Sequence, residues 1–272
     1  MEQTCSNKII SLHFQRCGGD CPHVAECYFV KREVAGLFND ISDYEMVWQS
    51  IVRSGHKVHE SICSAGLDTY HLEELKRNKN YNVTMSCHMA DKYPGLEEVK
   101  EQVQISVYDW KDVATYHSWQ KLFLIKNTNT YNAFKDWLGI NTGKLHFLID
   151  QDWIDTAKIR EIIPLFNNSN NSDQSMDSCL TSWLVNKCCP NMGDEYIDIN
   201  HDGTVRTCPY SARGVEPKGA TNLEHLFGVK MLPYSCKYMA IFGEELNGTI
   251  NNKCLQGYTT NPGDESSIEC DG

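Results

Sequence analysis

Long apolar runs are missing from this chain of 272 residues. Within residues 1–30, His13, Gln15, Arg16 and Asp20 interrupt any apolar core of signal-peptide length, and no later run approaches a membrane span. A cytoplasmic location with no membrane partner is therefore expected, and the sequons at Asn82, Asn167, Asn170 and Asn247 carry no weight without a secretion signal. Positive charge is also scarce: 25 Lys and Arg stand against 36 Asp and Glu, a formal net charge of −11. Binding a phosphate backbone needs a concentrated basic surface, so nucleic acid is not expected as the main partner. A small or locally basic substrate stays open.

Cysteine, by contrast, is abundant at 13 residues. In a reducing compartment thiols stay unpaired, so clustered cysteines bind metal more often than they form bridges. The 41% apolar content is enough to bury a large core, as one barrel-like domain with an appendage or as two domains.

The chain is organised around residues 8–30. A β-type run with Leu12 and Phe14 in alternation stops at a glycine-bearing loop holding Cys17, Cys21 and Cys27, and a helix-like segment runs from Cys27 to Gly36. Three thiolates from one loop can face one inorganic centre, and a [4Fe-4S] cluster so held leaves its fourth iron without a protein ligand. The competing reading is a zinc knuckle or plain structural thiols, but zinc pairs usually come as Cys-x2-4-Cys with a second pair, and no second pair is near.

Beyond this loop, strand-like and helical patterns alternate. Ser42 to Glu45 has the form of a capping box before a helix carrying Val47 and Ile51 and ending at Gly55. Strands are predicted over 58–63, 81–86, 105–108 and 145–149. Helices are predicted over 67–76 and 96–103, along Val113, Tyr116, Trp119 and Phe123, and along Ile159, Ile162, Ile163 and Phe166. Such alternation implies right-handed βαβ units and a parallel sheet whose functional loops follow the C-terminal strand ends. Five or six units match a partial barrel better than a full one, and 179–185 is the candidate for a sixth strand.

Residues 167–177 are polar and aperiodic and read as a connection. From Cys179 onward lie seven of the 13 cysteines, around a predicted hairpin over 196–207 turning at Asp202-Gly203. Thirteen residues separate Cys189 from Gly203, fourteen separate Cys188 from it, and Gly203-x4-Cys208 follows.

The strand, cysteine loop and helix near the N-terminus resemble those of the radical S-adenosylmethionine (SAM) superfamily. The second gap, Cys21-x5-Cys27, is three residues longer than the usual Cys-x3-Cys-x2-Cys pattern. The hairpin between Cys189 and Cys208 resembles the first half of the SPASM/Twitch appendage of many such enzymes. The fold implied is α/β: a partial (β/α)6 TIM-like barrel over residues 1–166, extending at most to about 186, then the 167–177 linker and a small cysteine-rich extension over 178–272.

The resemblance also implies cofactors and chemistry. Cys17, Cys21 and Cys27 would hold a [4Fe-4S] cluster whose open iron chelates SAM. One electron from a flavodoxin- or ferredoxin-type donor would cleave SAM to a 5′-deoxyadenosyl radical that abstracts a substrate hydrogen. Cys189 (or its neighbour Cys188), Cys208, Cys236 and Cys254 would hold an auxiliary [4Fe-4S] cluster, for which four-thiolate zinc is the alternative. Met239 stands where the longer SPASM pattern has a cysteine, which favours a single auxiliary cluster. Cofactor contacts would fall on Tyr28, on Ser64, Ala65 and Gly66, where the family's acidic residue is missing, and on Ser86 and Asp109. Cys87 could donate a hydrogen atom to a substrate radical, although a lone cysteine at a strand end is more often a small buried hydrophobe. The expected substrate is a peptide or protein side chain. A small molecule is the alternative, and a non-catalytic zinc-binding interaction module is the reading from another class.

Overall fold

A computed structural model describes residues 9–13, 41–63, 67, 69–150, 153–169, 171–186, 196–200, 205–206 and 238. The strands are β1 (Ile9–His13), β2 (Lys57–Cys63), β3 (Tyr81–Ser86), β4 (Val103–Ser106), β5 (Gln120–Ile125), β6 (Leu145–Ile149), β7 (Gln174–Met176), β8 (Tyr196–Asn200) and β9 (Val205–Arg206). The helices between them are α1 (Ile41–Val52), α2 (Thr69–Arg77), α3 (Cys87–Ala90), α4 (Trp110–Thr115), α5 (Thr128–Trp137), α6 (Thr156–Asn167) and α7 (Ser178–Asn186), with a 3-10 helix at Pro94–Gln102. The sheet runs β7-β6-β5-β4-β3-β2-β1-β8-β9, parallel throughout except for β9, which turns back along β8. This is the expected α/β fold, a partial barrel with helices on its outer side. β1 is internal, paired in register with β2 (Leu12 with Glu60) and with β8 (Ser11 with Asp198).

The two faces of the sheet differ. Outward positions are mainly apolar: Val58, Val83, Ile105, Phe123 and Phe147 are all buried beneath the helices, with Glu60 of β2 buried among them. Phe123 meets Trp137 of α5 at a ring-centroid distance of 4.5 Å and Phe147 meets Phe134 at 5.0 Å. Burying each such side chain is worth about 1.5–3 kcal/mol. Local caps fix where the helices begin. Asp109 accepts from Asp112 N, Asn127 and Thr130 form a capping box, and Asp155 accepts from Lys158 N. One buried cation sits among the apolar positions. Lys121 of β5 donates from Nζ to the carbonyls of Tyr116, His117 and Trp119 at 2.8–3.0 Å, closing the end of α4. Burial pushes this ammonium down to about 8, while three carbonyl acceptors matched to its three protons favour the charged form.

Several sequence expectations need correction. The helix predicted along Val113, Tyr116, Trp119 and Phe123 stops at Thr115; Phe123 lies in β5, a strand the sequence did not suggest, followed by α5. Lys121 breaks the apolar run of that strand, and the 3–4 residue spacing of its aromatics imitates a helix face. Residues 179–185, the candidate sixth strand, lie in helix α7, which Asp177 starts by accepting from the amides of Cys179 and Leu180. The Ser42 capping box is not realised, because Ser42 is already inside α1. The helix expected over 96–103 is a 3-10 helix kinked at Val99, and Val103 opens β4. Within the polar stretch 167–177, Asn167 ends α6 and Gln174–Met176 adds strand β7 against β6. Gln174 is held there by bonds from Nε2 to the Trp137 and Ile140 carbonyls.

Candidate functional site

Because β1 to β8 are parallel, their C-terminal ends lie along one rim of the sheet, and the loops after them share that side. His13 ends β1 on this rim, four residues before Cys17 in sequence. Ser86 ends β3 and pairs with Ser106, the end of β4.

The inner face below the rim is where this sheet departs from an ordinary parallel core. Strands covered on both faces read as continuous apolar runs. Here the inward positions of β1 to β4 are Ser11, His59, Ser61, Thr84, Gln104 and Ser106, in register across the sheet. Toward β5 and β6 the wall turns apolar at Leu122, Leu124 and Leu148, all half-buried. His59 Nε2 lies 2.6 Å from Thr84 Oγ1, and the Thr84 hydroxyl donates to Gln104 Oε1 at 3.2 Å. A threonine has one proton to give. With that proton on Gln104, the His59–Thr84 bond requires a hydrogen on His59 Nε2. On the other side of the wall His146 Nδ1 pairs with Ser175 Oγ at 2.8 Å, and burial lowers the histidine's pKa, so the imidazole is neutral at pH 7.

Three of the sequence-derived candidates lie among the described residues. Ser86 is buried at the rim on the inward side. Asp109 is exposed just past β4, and its carboxylate accepts from Asp112 N at 2.9 Å as the cap of α4. Cys87 is buried at the start of α3. Its thiol is pushed up to about 12, first by burial and then by the charge and hydrogen bond of Asp112 on α4, so it stays protonated near neutral pH. Tyr116 of the same region donates to the Cys87 carbonyl at 2.9 Å and to Asp91 at 2.6 Å. Cys17, Cys21, Cys27, Tyr28, Ser64, Ala65, Gly66, Cys188, Cys189, Cys208, Cys236 and Cys254 lie outside the described residues. Among the described ones, no three metal-ligating side chains converge on one point. The hairpin predicted over 196–207 is present as the antiparallel β8–β9 pair, Asp198 opposite Arg206.

Sequence reading missed His59, Thr84 and Gln104. The available signal was period-2 alternation of these polar residues with buried apolar ones inside strands of a parallel sheet.

No protein-family model matches this chain, and no curated protein does. Among solved structures, Streptococcus suis SuiB bound to S-adenosylmethionine is similar, with a TM-score of 0.50 at 10% identity, over 86% of this chain and 69% of that one. SuiB bound to precursor peptide SuiA is similar with a TM-score of 0.50 at 11% identity, over 86% and 70% of the two chains. At this identity the likeness is one of fold: both chains share the partial barrel. No helix among the described residues is long and apolar enough to cross a membrane.

Proposed function

We propose that this chain is a radical SAM enzyme that modifies a peptide or protein side chain. The observation that carries the reading is the cysteine loop leaving an internal strand of a partial barrel, in a fold shared over 86% of the chain with a protein crystallised with S-adenosylmethionine. The same protein's complex with a precursor peptide favours a peptide substrate over a small molecule. The donor set fits a [4Fe-4S] cluster: Cys17, Cys21 and Cys27 supply three thiolates and leave one iron for SAM. When bound and reduced, this cluster supplies the electron for homolytic cleavage of SAM.

The protein's own part is placement. The rim residues Ser86 and Asp109, with Ser64, Ala65, Gly66 and Tyr28, are assigned to hold SAM beside the cluster. The polar wall of β1 to β4 orients the substrate, and the leucines of β5 and β6 exclude water from it. An auxiliary [4Fe-4S] cluster on Cys189, Cys208, Cys236 and Cys254, an electron donor of the flavodoxin or ferredoxin type and a cytoplasmic location belong to the same reading.

Oxygen-free reconstitution followed by metal and sulfide analysis tests it, together with 5′-deoxyadenosine release from SAM under dithionite. Iron, sulfide and release are expected, with release abolished in the Cys17→Ala, Cys21→Ala and Cys27→Ala variants. Zinc without iron or sulfide would replace the enzyme reading with a zinc-binding interaction module.

A further inference from the structure

The inner wall carries a directional hydrogen-bond chain that the proposed function uses only in outline. His59 Nε2–H donates to Thr84 Oγ1, and the Thr84 hydroxyl donates to Gln104 Oε1. In this arrangement Gln104 Oε1 is the acceptor, which leaves the N–H2 end of the carboxamide, at an inward position of β4, free to donate. Gln104 Nε2 makes no hydrogen bond among the described residues, and the side chain is half-buried rather than sealed. Gln104 and Thr84 each lie two residues, about 7 Å, below the rim. That depth suits the body of a ligand whose reacting end sits at the rim.

The charge of this wall restricts what it can hold. From mid-strand to rim, the described inward positions of β1 to β8 carry no Lys or Arg; Asp198 stands beside Ser11, with Arg206 of β9 as its cross-strand neighbour on the other side. An anion placed at Gln104 would face no Lys or Arg on the described inward positions of β3, β4 or β5, and one amide donor does not offset its desolvation. An uncharged oxygen acceptor needs only a single donor.

The geometry points to Gln104 as a specificity-determining residue, oriented by Thr84 and His59, that donates an N–H to an uncharged oxygen of the substrate: an amide carbonyl or hydroxyl of a peptide rather than a phosphate or carboxylate. This rests on the proposed function and adds to it the charge class of the substrate.

The test uses the reconstituted full chain with SAM and dithionite, and two synthetic peptide pools as probes. One pool is uncharged and rich in Ser, Thr, Asn and Gln; the other is the same pool with its serines phosphorylated. The uncharged pool is expected to stimulate 5′-deoxyadenosine release and the phosphorylated pool to leave it at the peptide-free rate. In Gln104→Leu the half-stimulating peptide concentration rises about tenfold, the worth of one such bond, with the maximal rate within about twofold. Gln104→Met keeps the length without a donor or a charge, so it gives the same rise and guards against a folding defect in the leucine variant. Equal stimulation by both pools, no stimulation by either while SAM is still cleaved, or a fall in maximal rate alone in both variants overturns the assignment. No cleavage of SAM under any condition removes the proposed function beneath it.

Discussion

The indole of Trp48 on α1 donates to Glu60 Oε2 on β2 at 2.7 Å, inside a part of the fold that solvent does not reach. Tyr81 of β3 donates to the same oxygen at 2.7 Å, and His71 of α2 stands 3.7 Å away. One carboxylate thus joins two helices and two strands, and its Oε1 has no hydrogen-bond partner among the described residues.

Trp48→Phe keeps the ring but removes one of the two donors to a buried carboxylate. A loss of about 1–3 kcal/mol is expected, read as a lower urea midpoint. An unchanged midpoint would mean that Glu60 is satisfied by other means.

Lys121→Met removes the cation from the carbonyls of Tyr116, His117 and Trp119. Partly exposed carbonyls recover some bonding to water, so the expected loss is about 1–3 kcal/mol. Thermal unfolding measures it, and a variant as stable as the parent would show the ammonium to be dispensable.

Gly143 has φ +61°, and a Cβ there would stand 2.2 Å from the His117 carbonyl oxygen. Gly143→Ala therefore combines left-handed strain with a clash against backbone. A destabilisation of at least about 1–3 kcal/mol is expected from the strain alone, and a thermal midpoint equal to the parent's contradicts it.

Cys87 ionises near 12 in the folded chain, against an ordinary value of 9.0. Between those values the unfolded chain loses the proton first, so this group's contribution to stability, fully present below pH 9, fades as pH rises toward 12. At pH 8 the native thiol should react with iodoacetamide far more slowly than after unfolding, and Asp112→Asn should speed the native reaction; equal native and unfolded rates would refute the buried-thiol geometry.

The same thiol bears on hydrogen donation. If Cys87 gave a hydrogen atom to a substrate radical, turnover in D2O would place deuterium in the modified product, and Cys87→Ser would abolish that label. With the thiol buried at the start of α3, mass spectrometry should find any label unchanged in the variant.

Much of this architecture was legible in sequence where strand residues alternate cleanly. Tyr81–Ser86 and Leu145–Ile149 have the bounds that their patterns predict, because Val83 and Phe147 recur at period two. β5 was illegible because a buried lysine, satisfied only by carbonyls brought in from the chain before it, looks like a solvent position when met in sequence. α7 was mistaken for a strand because Leu180, Trp183 and Leu184 form a short apolar run, and only Asp177 at its start marks a helix. The polar wall went unread because His59, Thr84 and Gln104 are far apart in sequence; only the parallel register sets Thr84 beside Gln104 and brings His59 diagonally next to Thr84 on the same face.

The pairing of β1 with both β2 and β8 governs the order in which this molecule can be completed on the ribosome. The strand that precedes the cysteine loop is made first, yet its second flank emerges only with residues 196–200. Until then β1 is an exposed edge, open to mispairing with other chains. Loading of the cluster proposed for Cys17, Cys21 and Cys27 is accordingly best deferred until most of the polypeptide has been synthesised.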